Sequence, residues 1–165
     1  MMKNLKKIVF FAIAVFAFVL SSSCSSDDAP KENPDEIQTK GEFIKFKYKG
    51  TSYSFEPGVS SSLNLLIKGS QGIDNTYKSI GLWMPLIVTK GSHPIVLDLS
   101  KLETTYQVDF AFMPEFSNVN ATSGTMNITL VNSERIEGTF NFSATKNGAA
   151  VEVTEGSFSV KALRF

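Results

Sequence analysis

Two hydrophobic patterns divide this chain. From Ile8 to Leu20 the residues are apolar without a break (IVFFAIAVFAFVL), whereas from Gly41 onward apolar side chains recur mostly at every second position, the period of a β-strand. Ile44, Phe46 and Tyr48 alternate with Lys45, Lys47 and Lys49, and Gly50-Thr51 then leads into Tyr53 and Phe55, which predicts an N-terminal hairpin. Leu63, Leu65 and Ile67 predict a further strand, followed by a loop through Gly69 to Asn75. Ile80 to Val88 (IGLWMPLIV) is apolar on both faces and reads as a central strand, interrupted at Pro85, which has no N–H to give to a ladder. Thr104 to Phe112 alternates again, with Tyr106, Val108, Phe110 and Phe112 on one face and Gln107 and Asp109 on the other.

The last third repeats a short pattern of glycine, small hydroxyl, apolar, polar, apolar: Gly124 to Ile128, Gly138 to Phe142 and Gly156 to Val160. Its spacings suit successive hairpin strands, with Met126, Ile128, Leu130, Ile136, Phe140, Phe142 and Ala144 facing the core. The apolar parity of the final strand switches between Val151 and Val153 on one side and Phe158, Val160 and Ala162 on the other. A strand changes face only through an extra residue, so a bulge or sharp bend is predicted at Glu155-Gly156. With 14 phenylalanines and no helical stripe, the expected fold is all-β, an antiparallel β-sandwich or partly open barrel of about 8–9 strands ending in a C-terminal meander.

The unbroken run belongs to a different kind of segment. Lys3, Lys6 and Lys7 precede it and Ser21, Ser22 and Ser23 follow, the layout of a signal peptide over residues 1–23. Thirteen residues of helix cover only about 20 Å, short of a hydrocarbon core of about 30 Å. The continuation, Leu20-Ser-Ser-Ser-Cys24-Ser-Ser-Asp-Asp, resembles a bacterial lipobox in the serine-rich form of Bacteroidota lipoproteins. That resemblance implies that Cys24 becomes the first mature residue and carries diacylglycerol on its thiol, making outer-membrane lipid the chain's first partner. It further implies outer-membrane sorting, because Ser25 stands where an aspartate retains many lipoproteins at the inner membrane. The run Ser25, Ser26, Asp27 and Asp28 looks like the acidic signal that exports such proteins to the cell surface. The competing reading is the start of a solvated linker, with the domain facing the periplasm; surface display is the favoured one.

Cys24 is the chain's one cysteine, so no intrachain disulfide can form and the domain must be held by packing. Residues 24–41 combine that cysteine with a tether of five acidic and two basic residues, two prolines and one large apolar side chain, Ile37. A segment of that composition spans roughly 20–25 Å as a flexible coil. The tether's surplus of three negative charges matches that of the whole chain without its leader, so the 124 residues from 42 to 165 are formally neutral. A neutral domain of that length holds one core and offers no electrostatic reason to bind nucleic acid. The run Ser123 to Val160, with the upstream loop Lys90-Gly-Ser-His-Pro-Ile95, resembles the C-terminal part of small Bacteroidota lipoproteins of uncharacterised function that share this plan of lipobox, tether and single all-β domain. The resemblance brings structural glycines and no functional residues.

Catalytic constellations are sparse. His93, the single histidine, lies in the Gly91 to Pro94 loop beside Ser92, but neighbours in extended chain point opposite ways and no Gly-x-Ser-x-Gly elbow occurs. It reads as a solvent-exposed loop residue. One histidine and a lipidated cysteine make no zinc site, no calcium loop or phosphate cradle is present, and no metal or cofactor is expected. Asp98, Glu103, Asp109 and Glu115 lie near strand ends, where a pair could serve glycoside hydrolysis, although solvated strand-face carboxylates are the commoner arrangement. For binding, Tyr77, Trp83, Tyr106 and Phe116 are candidate sugar-stacking aromatics, with core packing the competing reading for Trp83 in its doubly apolar strand. The Lys45, Lys47, Lys49 row could touch acidic glycan or lipid headgroups, or could guard a sheet edge. Ser60 to Ser62, Gly69 to Tyr77 and Pro114 to Ser123 read as polar loops suited to contacts. The expectation is a noncatalytic binding or envelope-accessory module for a glycan or protein, the alternatives being a structural subunit of an envelope complex and a carboxylate-dependent glycoside hydrolase.

Overall fold

The alternating pattern becomes eleven strands and one 3₁₀ turn (Asp74–Thr76) in the computed structural model, which describes residues 41–163. The expectations for the leader, Cys24, Ser25 to Asp28 and the tether fall outside the described residues. In chain order the strands are β1 Phe43–Tyr48, β2 Thr51–Phe55, β3 Pro57–Ser61, β4 Leu65–Gln71, β5 Lys78–Met84 and β6 Gly91–Pro94. They continue as β7 Gln107–Phe112, β8 Phe116–Asn120, β9 Ser123–Val131, β10 Arg135–Lys146 and β11 Ala149–Lys161. They form a six-stranded sheet, β2-β1-β11-β10-β9-β6, and a five-stranded sheet, β3-β4-β5-β7-β8. The strand pairings are antiparallel, and β9-β10-β11 is the expected meander. Among the described residues both sheets end in unpaired edges, so the fold is a sandwich and not a closed barrel.

The core lies where the inward faces meet. Ile44, Phe46, Phe142 and Phe158 from the larger sheet pack with Ile67, Ile80, Leu82 and Phe110 from the smaller. Phe110 is fully buried, and the rings of Phe46, Tyr48, Phe112, Phe116 and Phe142 lie 5.4–5.8 Å from it, mostly tilted or edge-on. Those geometries suit the aromatic quadrupole, so this cluster joins the sheets where a disulfide is unavailable.

Local signals explain the connections. Lys49 and Gly50 both have positive φ (48° and 76°), the two-residue hairpin turn whose twist matches the flanking strands. The parity switch in β11 is a bulge: Phe140 pairs Gly156 but Phe142 pairs Val153, and Glu155 adopts φ 51°. The three repeat glycines face aromatic residues on neighbouring strands, Gly138 opposite Phe158, Gly156 opposite Phe140 and Gly124 opposite Phe142. The Phe158 and Phe140 rings occupy the space that a side chain would take at Gly138 and Gly156, whereas at Gly124 the Asn141 carbonyl and the Phe142 backbone do.

Several expectations are corrected. Eleven strands replace the eight or nine because β3, β6 and β8 lack a plain alternating signature. β3 keeps one apolar contact, Val59, and β8 buries Phe116 and Val119, three positions apart, across a register shift. The supposed loops at Ser60 to Ser62 and Pro114 to Ser123 are therefore largely strand, and the one from Gly69 to Tyr77 begins later, at Gly72: β4 runs on to Gln71 through polar ladder partners, Ser70 to Ser79 and Gln71 to Lys78. Leu63 precedes β4 and is 63% exposed. In β9 an extra residue at Thr129 shifts the register, so that Val131 rather than Leu130 packs on the core.

Candidate ligand-binding cleft

Sheet parity decides which side chains reach solvent. Ile80, Leu82 and Met84 take the core face of β5, which leaves Ser79, Gly81 and Trp83 on the outer face of the five-stranded sheet. The connection between β6 and β7 passes beside that outer face, where Val96, Leu97, Leu99 and Leu102 share a cleft with Trp83. Across the sheet, Lys68, Gly81, Asp109 and Asn120 are successive cross-strand partners, and Leu66, Trp83 and Gln107 make the next row.

Of these, Lys68, Trp83, Gln107 and Asp109 floor a cleft of about 340 Å³, walled by Val96, Leu97, Leu99 and Leu102 and by Asn118 and Asn120 of β8. Gly81 makes room for the floor's carboxylate: a Cβ there would collide with the Asp109 carboxylate, which instead lies across the β5 backbone. Asp109 Oδ1 accepts a hydrogen bond of 2.5 Å from the Trp83 indole N–H. The indole's polar edge is thus satisfied within the protein, and Trp83, partly exposed, presents its apolar ring to the cleft.

The wall is fastened by Gln107, 5% exposed, whose amide Nε2 donates to the Asp98 carbonyl at 2.7 Å and to Thr105 Oγ1 at 2.8 Å. Val96 N donates to the Tyr106 carbonyl, and the Asn64 amide donates to the Leu102 carbonyl. Asp98 caps the turn within the wall by accepting from Ser100 N and Oγ, and these bonds, chiefly the hydroxyl's, hold its carboxyl below the usual range.

Of the four aromatics singled out from sequence, Trp83 alone lines this cleft. Tyr106 and Phe116 are each 6% exposed and belong to the core, so neither offers its ring to a ligand. Tyr77 is partly buried at the start of β5, at the other end of the strand from Trp83, with its carbonyl accepting from Met113 N. The core reading of Trp83 is also corrected, since its register faces it outward. His93 is partly buried in edge strand β6, not a free loop residue: its ring stacks on Tyr106 at 4.1 Å and its Nε2 lies 2.9 Å from the Thr89 carbonyl.

The candidate carboxylates are dispersed among different partners. Asp109 holds Trp83, Asp98 binds Ser100, and Glu115 accepts from Tyr48 and Lys49, so the cleft lining has one carboxylate. Among the described residues no group of three or more His, Cys, Asp or Glu gathers to hold a metal. The lysine row is partnered locally: Lys47 with Glu155 and Lys49 with Glu115, both at 2.7 Å, while the Lys45 ammonium sits 4.5 Å from the Phe43 ring centre.

Sequence reasoning passed over Lys68 and Gln107 as cleft residues, and reached Asn118 and Asn120 only as part of the Pro114 to Ser123 segment suited to contacts. The available signal was a glycine inside a strand, Gly81, two residues before an outward tryptophan, since an interior glycine marks a close approach. No family model matches the chain, and comparison with characterised proteins and with solved structures finds no significant match.

Proposed function

We propose that this chain is a lipid-anchored outer-membrane protein, held by acylated Cys24 and displayed at the cell surface, whose sandwich is a noncatalytic binding module. The observation that carries the binding reading is the cleft: apolar walls, one aromatic face and a few convergent polar groups on a rigid sheet, the usual composition of a ligand site. Its single carboxylate supports recognition without hydrolysis, because glycoside cleavage takes a pair of carboxyls about 5–10 Å apart. Anchor and tether would keep the module concentrated at the membrane, where weak contacts suffice.

Trp83 is the chain's one tryptophan, so its fluorescence reports on this cleft alone. Titration with fractionated envelope polysaccharide, peptidoglycan fragments and envelope protein should shift its emission for one fraction, and Asp109→Ala should weaken that response. No response to any fraction would remove the binding reading. The anchor is checked separately: labelled fatty acid should enter the native chain and not Cys24→Ala. Protease should digest the domain on intact cells but spare it when Asp27 and Asp28 are replaced by alanine.

One observation favours a second reading, a structural subunit of an envelope complex. Leu63, Leu86 and Ile87 are exposed on connections at the end of the five-stranded sheet where β4 begins and β5 finishes, and Leu97 and Leu99 are exposed in the cleft wall. That reading predicts a larger species in mild detergent extracts that Leu86→Glu with Ile87→Glu dissolves. A monomer in both extracts would dismiss it.

A further inference from the structure

We infer that the cleft takes a neutral sugar, one or two pyranose units of a glycan, with the Trp83 ring as the stacking platform and Asp109 as the central hydrogen-bonding group. This deepens the binding reading above and rests on it.

Four features of the cleft converge on that chemistry. The Trp83 N–H is already spent on Asp109, so what the indole can give a ligand is its flat apolar face. Such a face suits the C–H side of a pyranose ring and would reward burial without asking for a donor. Asp109 uses Oδ1 on the indole, while a carboxylate has room for about four acceptor bonds, so the group can still receive sugar hydroxyls. Asn118 and Asn120 add carboxamides, each offering donors beside an acceptor. A hydroxyl also both donates and accepts, so planar carboxylate and carboxamide groups can each bridge neighbouring hydroxyls of one ring.

Charge and size narrow the class. Lys68 and Asp109 are the lining's charged residues, one of each sign, so the site demands no net charge of its ligand. A phosphate or an acidic headgroup would meet the Asp109 carboxylate beside the aromatic floor, and an acyl chain would strand the polar groups without partners. At about 340 Å³ the cleft is at the small end of ligand pockets, room for one or two rings. β5 and β7, which carry the floor, have neighbours on both sides, so a peptide adding main-chain bonds would join at the open β8 edge and not on the floor beneath the Trp83 ring.

The test is a titration of the full chain in detergent with neutral oligosaccharides of two to six units, built from glucose, xylose, mannose and N-acetylglucosamine. Emission of Trp83 is the first readout and calorimetry the second. At least one series should shift the emission and release heat. By calorimetry, Trp83→Ala should weaken binding at least tenfold and Trp83→Phe by a few fold, with Asp109→Ala losing tenfold or more. Circular dichroism and melting temperature establish that each variant is folded. Two comparison probes separate the failures: a mixed decapeptide library and vesicles containing an anionic phospholipid. If no sugar binds but peptides or vesicles shift Trp83, the sugar assignment is wrong and the binding module stands. If none of the probes engages Trp83, both are overturned. Sugar binding that survives Trp83→Ala at full strength would place it outside this cleft and overturn the assignment.

Discussion

Asp109 organises the cleft from a position that a glycine vacates. Its carboxylate lies across Gly81 and fixes the Trp83 ring, so the ring's orientation depends on two residues that never touch a ligand by stacking. Gly81→Ala should expel the carboxylate and break the indole bond, which a shift in the free protein's Trp83 emission and a lower melting temperature would register. In the core, truncating Phe110 removes the ring on which five others converge. Phe110→Ala should cost about 3–5 kcal/mol in denaturant unfolding, while a loss under 1 kcal/mol would mean that the cluster is not the join between the sheets. Tyr48 titrates at the edge of that cluster. Burial first, and then its hydrogen bond to the Glu115 carboxylate, push it up to about 12. The folded state therefore favours the protonated phenol, a stabilisation fully present below the ordinary value of 10.0 and lost as pH rises through about 12. Absorbance at about 295 nm, in the tyrosinate band, should show a late step that Tyr48→Phe removes. Glu115 runs the other way: its bond to Lys49, against some opposition from burial, lowers it from 4.5, so its contribution is present above that pH and fades as acid protonates it.

Strands were legible where one face is core and the other is solvent. Ile44, Phe46 and Tyr48, or Phe140, Phe142 and Ala144, alternate because successive Cβ atoms point to opposite sides, and that pattern exists in the chain before it folds. The bulge at Glu155 was legible for the same reason, as a break in parity. β6 was not, because Gly91 to Pro94 contributes no apolar row and becomes a strand by borrowing the β9 ladder. β8 was hidden by its own register shift, which spaces Phe116 and Val119 by three. The β11 bulge makes an element-level prediction with opposite signs at adjacent positions. Glu155 occupies φ 51°, so Glu155→Gly should leave stability unchanged or raise it by up to about 1 kcal/mol, its exposed ion pair with Lys47 being worth little. Gly156→Ala would press a methyl against the Phe140 ring and carbonyl and should cost about 1–3 kcal/mol. Equal losses at both positions would show that the bulge tolerates no change at all, contrary to this account.

At the scale of the molecule, two sheets share one core, so they should unfold together. Trp83 emission reports the outer face of the smaller sheet and circular dichroism reports all strands; coincident melting curves are expected, and an earlier Trp83 transition would reveal that the cleft wall opens first. The sequence by itself determined what is local or additive: the β period, the bulge and the neutral balance of residues 42–165; the proposed leader and lipobox likewise rest on a likeness between contiguous residues. Tertiary structure decided which outward residues meet. Trp83 and Asp109 are 26 residues apart and become partners through the pairing of β5 with β7, and the wall at Val96 to Leu102 stands beside them, tied down by Gln107. The physical reason is range: alternation is written into neighbouring residues, whereas a site on a sheet face is made by long-range register, which no short window of sequence contains.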